Sequence, residues 1–450
     1  MNIDLKNIKK IFFIGIGGIG ISALAKMAHS RGMEVSGVND EEGKTIDSLK
    51  ELGIKIYMFN PREKFLESAP SETKGQGTHT ILEISHGDFS EADLYVYSDA
   101  WLNRGPEILE MARNTGKPVI SYAEALGVFA KNYKTIAISG THGKTTTTAM
   151  VADILIEAGL DPTVIIGSFV KKFGSNFRAG KSEYLVVEAD EYNRHMLQLH
   201  PYIGAITNIE ADHLDCYKDL EDIKTAFQQF LNQSENKVVA SPIGYVFNGL
   251  QPRDYESYLE KVPKLAVPGE HNRKNAGCAL AVADILGIPE EVSKRALENF
   301  QGTWRRLEKR GITEDGTVIY DDYAHHPTEV RASIQALKES YPNKKLTIVF
   351  QPHLYSRTKA LFDDFAKCFT GADKIVLLPI YFAREVPDES ISSGKLAEGI
   401  CQNGDKAIAF TDFELVEEYL KGKTFGKDDV FVTMGAGESY KVADKVFHFS

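Results

Sequence analysis

Thr135-Ile136-Ala137-Ile138-Ser139-Gly140-Thr141-His142-Gly143-Lys144-Thr145-Thr146 reads as a short apolar strand, a glycine turn and the first residues of a helix that runs to Ile156. Glycines let the backbone curl so that its N–H groups face an anion, and the helix start adds the positive end of a dipole. In such a loop Gly140, Thr141, His142, Gly143 and Thr146 form the cradle, Lys144 supplies charge for β- and γ-phosphates, and the Thr145 hydroxyl suits magnesium. The general spacing places a glycine where Ile138 stands, so the loop is a shortened variant. A glycine turn that happens to precede Lys-Thr is the plainer reading. The strand before it and the helix after it favour the phosphate loop.

Working outward, Tyr184 to Val187 is a buried-looking strand that ends in Glu188-Ala189-Asp190-Glu191. Open α/β sheets bind ligands at the carboxyl ends of their strands, so these carboxylates fall where a divalent cation accompanying a nucleotide would be held, with Glu188 a natural ligand. A solvated acidic loop is the alternative. The third group is Asn208-Ile209-Glu210-Ala211-Asp212-His213-Leu214-Asp215, in which residue chemistry alone leaves His213 equally a packed side chain or a metal ligand.

Toward the N-terminus, Ile11 to Ile14 is followed by Gly15-x-Gly17-x-x-Gly20, a helical stretch from Ser22 to His29 and a strand from Val35 to Val38. Strand, helix and strand in this order imply a parallel sheet. With Asp40 twenty positions beyond Gly20, the pattern fits a dinucleotide fingerprint, so an NAD-dependent oxidoreductase is one reading. The same loop holds any diphosphate, including that of a nucleotide sugar. Lys9-Lys10, the apolar run and Ala23-Leu24-Ala25 also imitate a secretory leader, against which the glycine spacing argues.

The chain has 450 residues, more than the roughly 250 to 300 that one core supports, so several domains are expected. Lys117-Pro118 is a candidate junction, and near Gln301-Gly302-Thr303 the pattern resets into strands at Val318–Tyr320, Leu346–Phe350, Ile375–Leu378 and Val430–Thr433. Helices at Glu329–Glu339 and Lys359–Phe369 lie between them. The expected fold is therefore α/β in three domains: a Rossmann-like domain at 1–118, a central P-loop domain with a mostly parallel sheet at 119–302, and a second Rossmann-like domain at 303–450. Ser68 to Gly77 reads as a surface loop. A net charge of −11 opposes general binding to nucleic acid or anionic membrane. Cys216, Cys278, Cys368 and Cys401 lie too far apart for a zinc motif, and no apolar run reaches a membrane span, so a cytoplasmic protein is expected.

Taken in order, Gly15–Gly20, Gly140–Thr145, Glu188–Tyr192, Asn208–Asp215, Gly269-Glu270-His271-Asn272 with Asn275, Asp321–Glu329, and Gln351-Pro352-His353 with Arg357 resemble the Mur ligases of peptidoglycan synthesis. The resemblance covers nearly the whole chain and is greatest to members that join L-alanine to UDP-N-acetylmuramate. It implies ATP and Mg2+, an acyl-phosphate intermediate, and a monomer or weak homodimer. By motif, Lys144, Glu188, His213, His353 and Arg357 would be catalytic, with Thr145, Glu188 and His213 holding metal. His271, Asn272, Asn275, Arg306 and Asp322 would contact the ATP nucleotide. Gly17, Gly18, Ile19, Gly20, Asp40, Ser98, Arg305, Tyr323, His325 and His326 would contact substrate. Without the resemblance, the adjacent histidines also suggest a metal site. Leu354 stands where relatives carry a basic residue, and Asn39-Asp40 and Ser98-Asp99-Ala100 depart slightly from commoner forms. A ligase that attaches a preformed tripeptide to the same sugar nucleotide, and a nucleotide-regulated binding protein without catalysis, complete the alternatives.

Overall fold

In the computed structural model the described residues are 3–59, 84, 87–213, 216–240, 250–382 and 385–449. The expected loop at Ser68–Gly77 and the end of the third motif, Leu214-Asp215, lie outside them.

Three sheets carry the chain. The first comprises β1 (Lys10–Ile14), β2 (Glu34–Asn39), β3 (Lys55–Met58), β4 (Leu94–Tyr97) and β5 (Val119–Ser121) in the order β3-β2-β1-β4-β5, with every pair parallel. Helices on both faces explain why Ile11 to Ile14 of β1 is an unbroken apolar run rather than alternating. The would-be leader is thus a central strand followed by the helix Ile19–Ser30.

The second sheet comprises β6 (Lys134–Ser139), β7 (Thr163–Val170), β8 (Ser175–Arg178), β9 (Tyr184–Glu188), β10 (Ile203–Ile206), β11 (Asn236–Val239) and β12 (Arg253–Asp254), ordered β12-β11-β10-β6-β9-β7-β8. Only β7 and β8 pair antiparallel, as a hairpin. The helix Lys144–Glu157 is buried from Thr145 to Leu155, and its four consecutive threonines are sheltered rather than displayed.

The third sheet comprises β13 (Glu308–Ile312), β14 (Val318–Asp322), β15 (Lys345–Phe350), β16 (Lys374–Leu377), β17 (Ala407–Ala409) and β18 (Asp429–Met434), ordered β13-β14-β18-β15-β16-β17. Here only β13 and β14 run antiparallel. The single helix expected over Lys359–Phe369 is instead two short ones, Tyr355–Ala360 and Phe362–Phe365. Leu361 leaves the helical region at φ −110° and ψ 24°, and beyond the bend Phe365 and Phe369 pack against Phe350 with ring centroids 5.7 and 5.3 Å away.

These sheets fall into two compact units, residues 1–263 with 275–297, and residues 264–274 with 298–450. The first two sheets share a unit because one core is continuous through Phe13, Leu24, Phe129, Leu185 and Phe227. Among the described residues no helix is long and apolar enough to cross a membrane, and the four cysteines are free thiols.

Candidate functional site

The first unit carries two loops at the carboxyl edges of its sheets. After β1, Gly15 and Ile16 donate their N–H groups to the Val38 carbonyl at 2.8 and 3.1 Å, which turns the loop toward the end of β2. Gly17 N–H donates to Asn39 Oδ1 at 3.0 Å, Asn39 Nδ2 donates to the Glu41 carbonyl, and Thr45 Oγ1 donates to the Gly17 carbonyl. A Cβ on Gly17 would lie 2.5 Å from Asn39 Nδ2, so the loop closes only because that residue has no side chain. Gly18 caps and Ile19 begins the following helix, Gly20 lies against the Tyr122 ring, and Ser98 follows β4 beside β1. Asp40 pairs with Arg104 at 3.1 Å, a partner the sequence did not suggest.

The phosphate loop follows β6, whose neighbours β9 and β10 run parallel to it. That adjacency gathers residues 140–146, 188–191 and 207–213 at one edge. Gly140 and Gly143 take φ of +132° and +82°, the left-handed side that glycine tolerates. Asn208 holds the loop from beneath, accepting from Thr141 N–H through its carbonyl at 3.1 Å and from His142 N–H through Oδ1 at 2.8 Å. His142 Nε2 lies 3.5 Å from Glu210. Thr146 is buried in the first turn of the helix.

Lys144 folds back over its own loop, donating to the carbonyls of Gly140 at 2.7 Å and Thr141 at 3.0 Å and pairing with Glu191 at 2.8 Å. Burial opposes its charge, but the carboxylates of Glu191, Asp190 and Glu188 outweigh it and hold the ammonium above its ordinary range. Thr145 Oγ1 donates to Glu188 Oε1 at 3.0 Å, and the other Glu188 oxygen accepts from Gly167 N–H at 2.8 Å. His213, at φ +54°, places Nε2 3.3 Å from Glu191. Glu191 therefore joins the lysine to the histidine.

His195 lies between two carboxylates, Nε2 2.8 Å from Asp99 and Nδ1 3.2 Å from Asp190. Burial works against its charge, yet the hydrogen bonds to Asp190 and Asp99 prevail and lift the imidazole to about 9.

In the helix Glu270–Ile285, Asn275 belongs to the first unit and its Oδ1 would lie 2.3 Å from a Cβ on Gly143. His271 and Asn272 belong to the second unit. Burial holds the His271 imidazole below its usual pKa, and Asn272 Nδ2 donates to the Pro268 carbonyl.

The second unit builds its own edge beyond β14, β15 and β18. Tyr323, His325, His353 and Tyr381 form a run of rings with successive centroids 5.4, 5.8 and 5.5 Å apart. Arg357 Nη1 lies 3.3 Å from His353 Nδ1, and Arg306 sits over Tyr323. Between His353 and Arg357, Leu354 is held at φ +69° while its N–H donates to the Tyr381 carbonyl. Asp322 accepts from the Ser333 hydroxyl, and His326 caps the helix Pro327–Ser340 by accepting from Thr328 N–H. Arg305, expected among the substrate contacts, is engaged within the protein. Its guanidinium is buried, donating to Asp321 at 2.8 Å, the Gly437 and Gly435 carbonyls at 2.8 and 2.6 Å, and Ser439 Oγ.

Known families match all three sheets: the Mur ligase family catalytic domain over residues 10–134, the Mur ligase middle domain over 138–245, and the Mur ligase glutamate ligase domain over 305–437. The chain belongs to the Mur ligase family.

Relatives of this Mur ligase include the UDP-N-acetylmuramate–L-alanine ligase of Caldanaerobacter subterraneus subsp. tengcongensis, 38% identical with 99% of this chain and 98% of that protein covered. The enzyme of the same name from Clostridium acetobutylicum is also 38% identical, with 99% of each covered. Among solved structures, UDP-N-acetylmuramate-alanine ligase MurC from Thermotoga maritima superposes with a TM-score of 0.75 at 27% identity, covering 97% of this chain and 98% of that one. The murein peptide ligase Mpl of Psychrobacter arcticus, at 20% identity and a TM-score of 0.66 over 97% and 98% of the two chains, shares the fold.

For this Mur ligase, sequence reading gave no role of their own to Asn39, His195 and Asn208, and it named Glu191 only as one of the carboxylates after β9. Glu191 and Asn208 lie inside quoted motifs, but no spacing distinguishes Glu191 from its neighbour Asp190. Asn39 stands buried at the end of β2, directly before Asp40.

Proposed function

We propose that this Mur ligase joins L-alanine to the carboxylate of UDP-N-acetylmuramate using ATP. The observation that carries the reading is one compact unit holding both phosphate-type loops, Gly15–Gly20 and Gly140–Thr146, with Lys144 paired to Glu191 and Thr145 bonded to Glu188. The names of full-length relatives support the choice of substrates. We assign the sugar nucleotide to residues 1–118, ATP to 119–302 and the amino acid to 303–450.

In this reaction a substrate carboxylate oxygen attacks the γ-phosphorus, the bond to ADP breaks, and an acyl phosphate forms. The amine of L-alanine then attacks the acyl carbon, phosphate leaves, and the nitrogen gives up a proton. A carboxylate is a poor acyl donor, and phosphorylation supplies the leaving group. Lys144, at the start of the helix that follows the loop, would supply positive charge to the phosphoryl oxygens on which charge builds. Arg357, steadied by His353, offers a planar fork to the carboxylate of the amino acid.

Magnesium fits Thr145 and Glu188, whose oxygens lie 3.0 Å apart and match a cation that prefers oxygen donors. His213 beside Glu191 fits a second divalent ion. When bound, the metal neutralises charge on the phosphates.

Phosphate release from ATP and magnesium, measured with and without UDP-N-acetylmuramate across L-amino acids and the tripeptide, tests the proposal. Release that requires the sugar nucleotide and is greatest with L-alanine supports it. Release with the tripeptide alone assigns a recycling ligase, and no release from folded protein rejects the ligase chemistry.

A further inference from the structure

His195 is absent from the phosphate loop, the magnesium ligands and the glycine loop, yet it is joined by hydrogen bonds to the segments beside two of them. Asp99 follows β4 in the first sheet, next to Ser98 at the glycine-loop edge, and Asp190 follows β9 in the second. The imidazole is 15% exposed and lies 2.8 Å from one carboxylate and 3.2 Å from the other. Asn193 Nδ2 adds a second bond to Asp99 Oδ2 at 3.1 Å.

The segment presenting these groups is held in an uncommon shape. Asn193 and Arg194 both take positive φ, 48° and 57°, a conformation that is strained for non-glycine residues and persists only when neighbours fix it. Four contacts do so: Arg194 pairs with Asp222 at 2.6 Å, Met196 N–H donates to the Asp190 carbonyl, and the Tyr192 ring meets both His195 and His213 edge-on. The next residue after Asp190 is Glu191, the partner of Lys144.

We infer that His195 is a positioning residue that ties the 98–100 turn of the first sheet to the Asp190-Glu191 segment of the second, so that sugar-nucleotide and ATP binding strengthen one another. This rests on the proposed function above. The chain of contacts runs Ser98-Asp99, His195, Asp190-Glu191, Lys144. A ligand that orders the 98–100 turn favours the His195 bridge, and the bridge favours the placement of Glu191 under the lysine. Such coupling is reciprocal, each ligand raising the affinity of the other by the same factor.

Calorimetric titration of UDP-N-acetylmuramate, with and without a non-hydrolysable ATP analogue and magnesium, tests this on the wild-type chain and on His195→Asn, His195→Arg and Asp99→Ser. The expected wild-type coupling is about fivefold or more, within the usual range for linked sites. His195→Asn and Asp99→Ser, which act from opposite sides of the bridge, should each reduce it to less than about twofold while leaving the ATP-analogue affinity alone within about threefold. His195→Arg keeps a cation able to fork between two carboxylates and should recover part of the coupling. Unchanged coupling in both disrupting variants, or none in the wild type, overturns the inference. A wild type that binds ATP analogue but no UDP-N-acetylmuramate overturns the proposed substrate together with it.

Discussion

Lys144 Nζ lies 2.8 Å from Glu191 Oε2, and with both side chains largely sheltered the charge of the loop lysine is answered inside the protein. Lys144→Ala should lower phosphate release by about 10²–10³-fold or more, because it removes charge where the phosphoryl oxygens develop theirs. Affinity for UDP-N-acetylmuramate should stay within about threefold, since the glycine loop belongs to another sheet. Calorimetry alongside turnover separates the two; loss of both would contradict distinct ligand edges.

Glu188 offers one oxygen to Thr145 and the other to Gly167 N–H. Glu188→Gln keeps the shape and removes the charge. The magnesium concentration giving half-maximal turnover should rise about tenfold or more, as expected for a lost anionic ligand. An unchanged magnesium dependence would remove Glu188 from the ligand set.

Gly143 and Gly32 make a matched pair, at φ +82° and +80°. A Cβ on Gly32 meets nothing within 4 Å, whereas one on Gly143 falls 2.3 Å from Asn275 Oδ1. Gly32→Ala should cost about 1 kcal/mol of stability, the ordinary penalty for a left-handed alanine. Gly143→Ala should cost more and also weaken binding of an ATP analogue, as read by thermal melting and calorimetry.

Arg305 stands buried between Asp321 and the carbonyls of Gly435 and Gly437. Arg305→Met leaves Asp321 without its cation and should destabilise the second unit by about 3–5 kcal/mol. Trp304, edge-on to Tyr440, reports this unit by fluorescence once Trp101 is replaced by Phe. A urea midpoint unmoved by Arg305→Met would assign the arginine to something other than this clamp.

His195 titrates near 9, above its ordinary 6.5. Folded protein therefore holds this proton more tightly than unfolded chain, so the bridge contributes fully below about pH 6.5 and its contribution is lost as pH rises through 9. The stability difference between wild type and His195→Asn, on the order of 2 kcal/mol at pH 6, should shrink toward pH 10. Urea unfolding at several pH values measures it, and a constant difference would deny His195 its charge.

The parts of the site legible in sequence were those whose backbone chemistry is local. Gly140 to Thr146 announces a strand, a turn and a helix start from adjacent residues alone. The clamp around Arg305 was not legible for the opposite reason: its partners at 435 and 437 are some 130 positions away, and a pattern does not reveal contacts made over that separation. The two-helix form of residues 355–365 was hidden because Leu361 is a good helix former, and only packing of Phe365 and Phe369 under Phe350 decides the bend. His195 carried no recognisable signal: Asp190 is five positions before it, but Asp99, which makes the pair a bridge, is 96 positions away and is brought in by the fold.

The hydrogen bonds within the glycine loop have one further effect. Gly15, Ile16 and Gly17 donate to Val38 and Asn39, and Thr45 fastens the Gly17 carbonyl. Much of the disorder such a loop would surrender on gripping a diphosphate has already been surrendered when the sheet forms. Binding strength at this edge is thus set partly by the folding of β2, and a substitution at Asn39, which need touch no ligand, would be felt as a slackened grip.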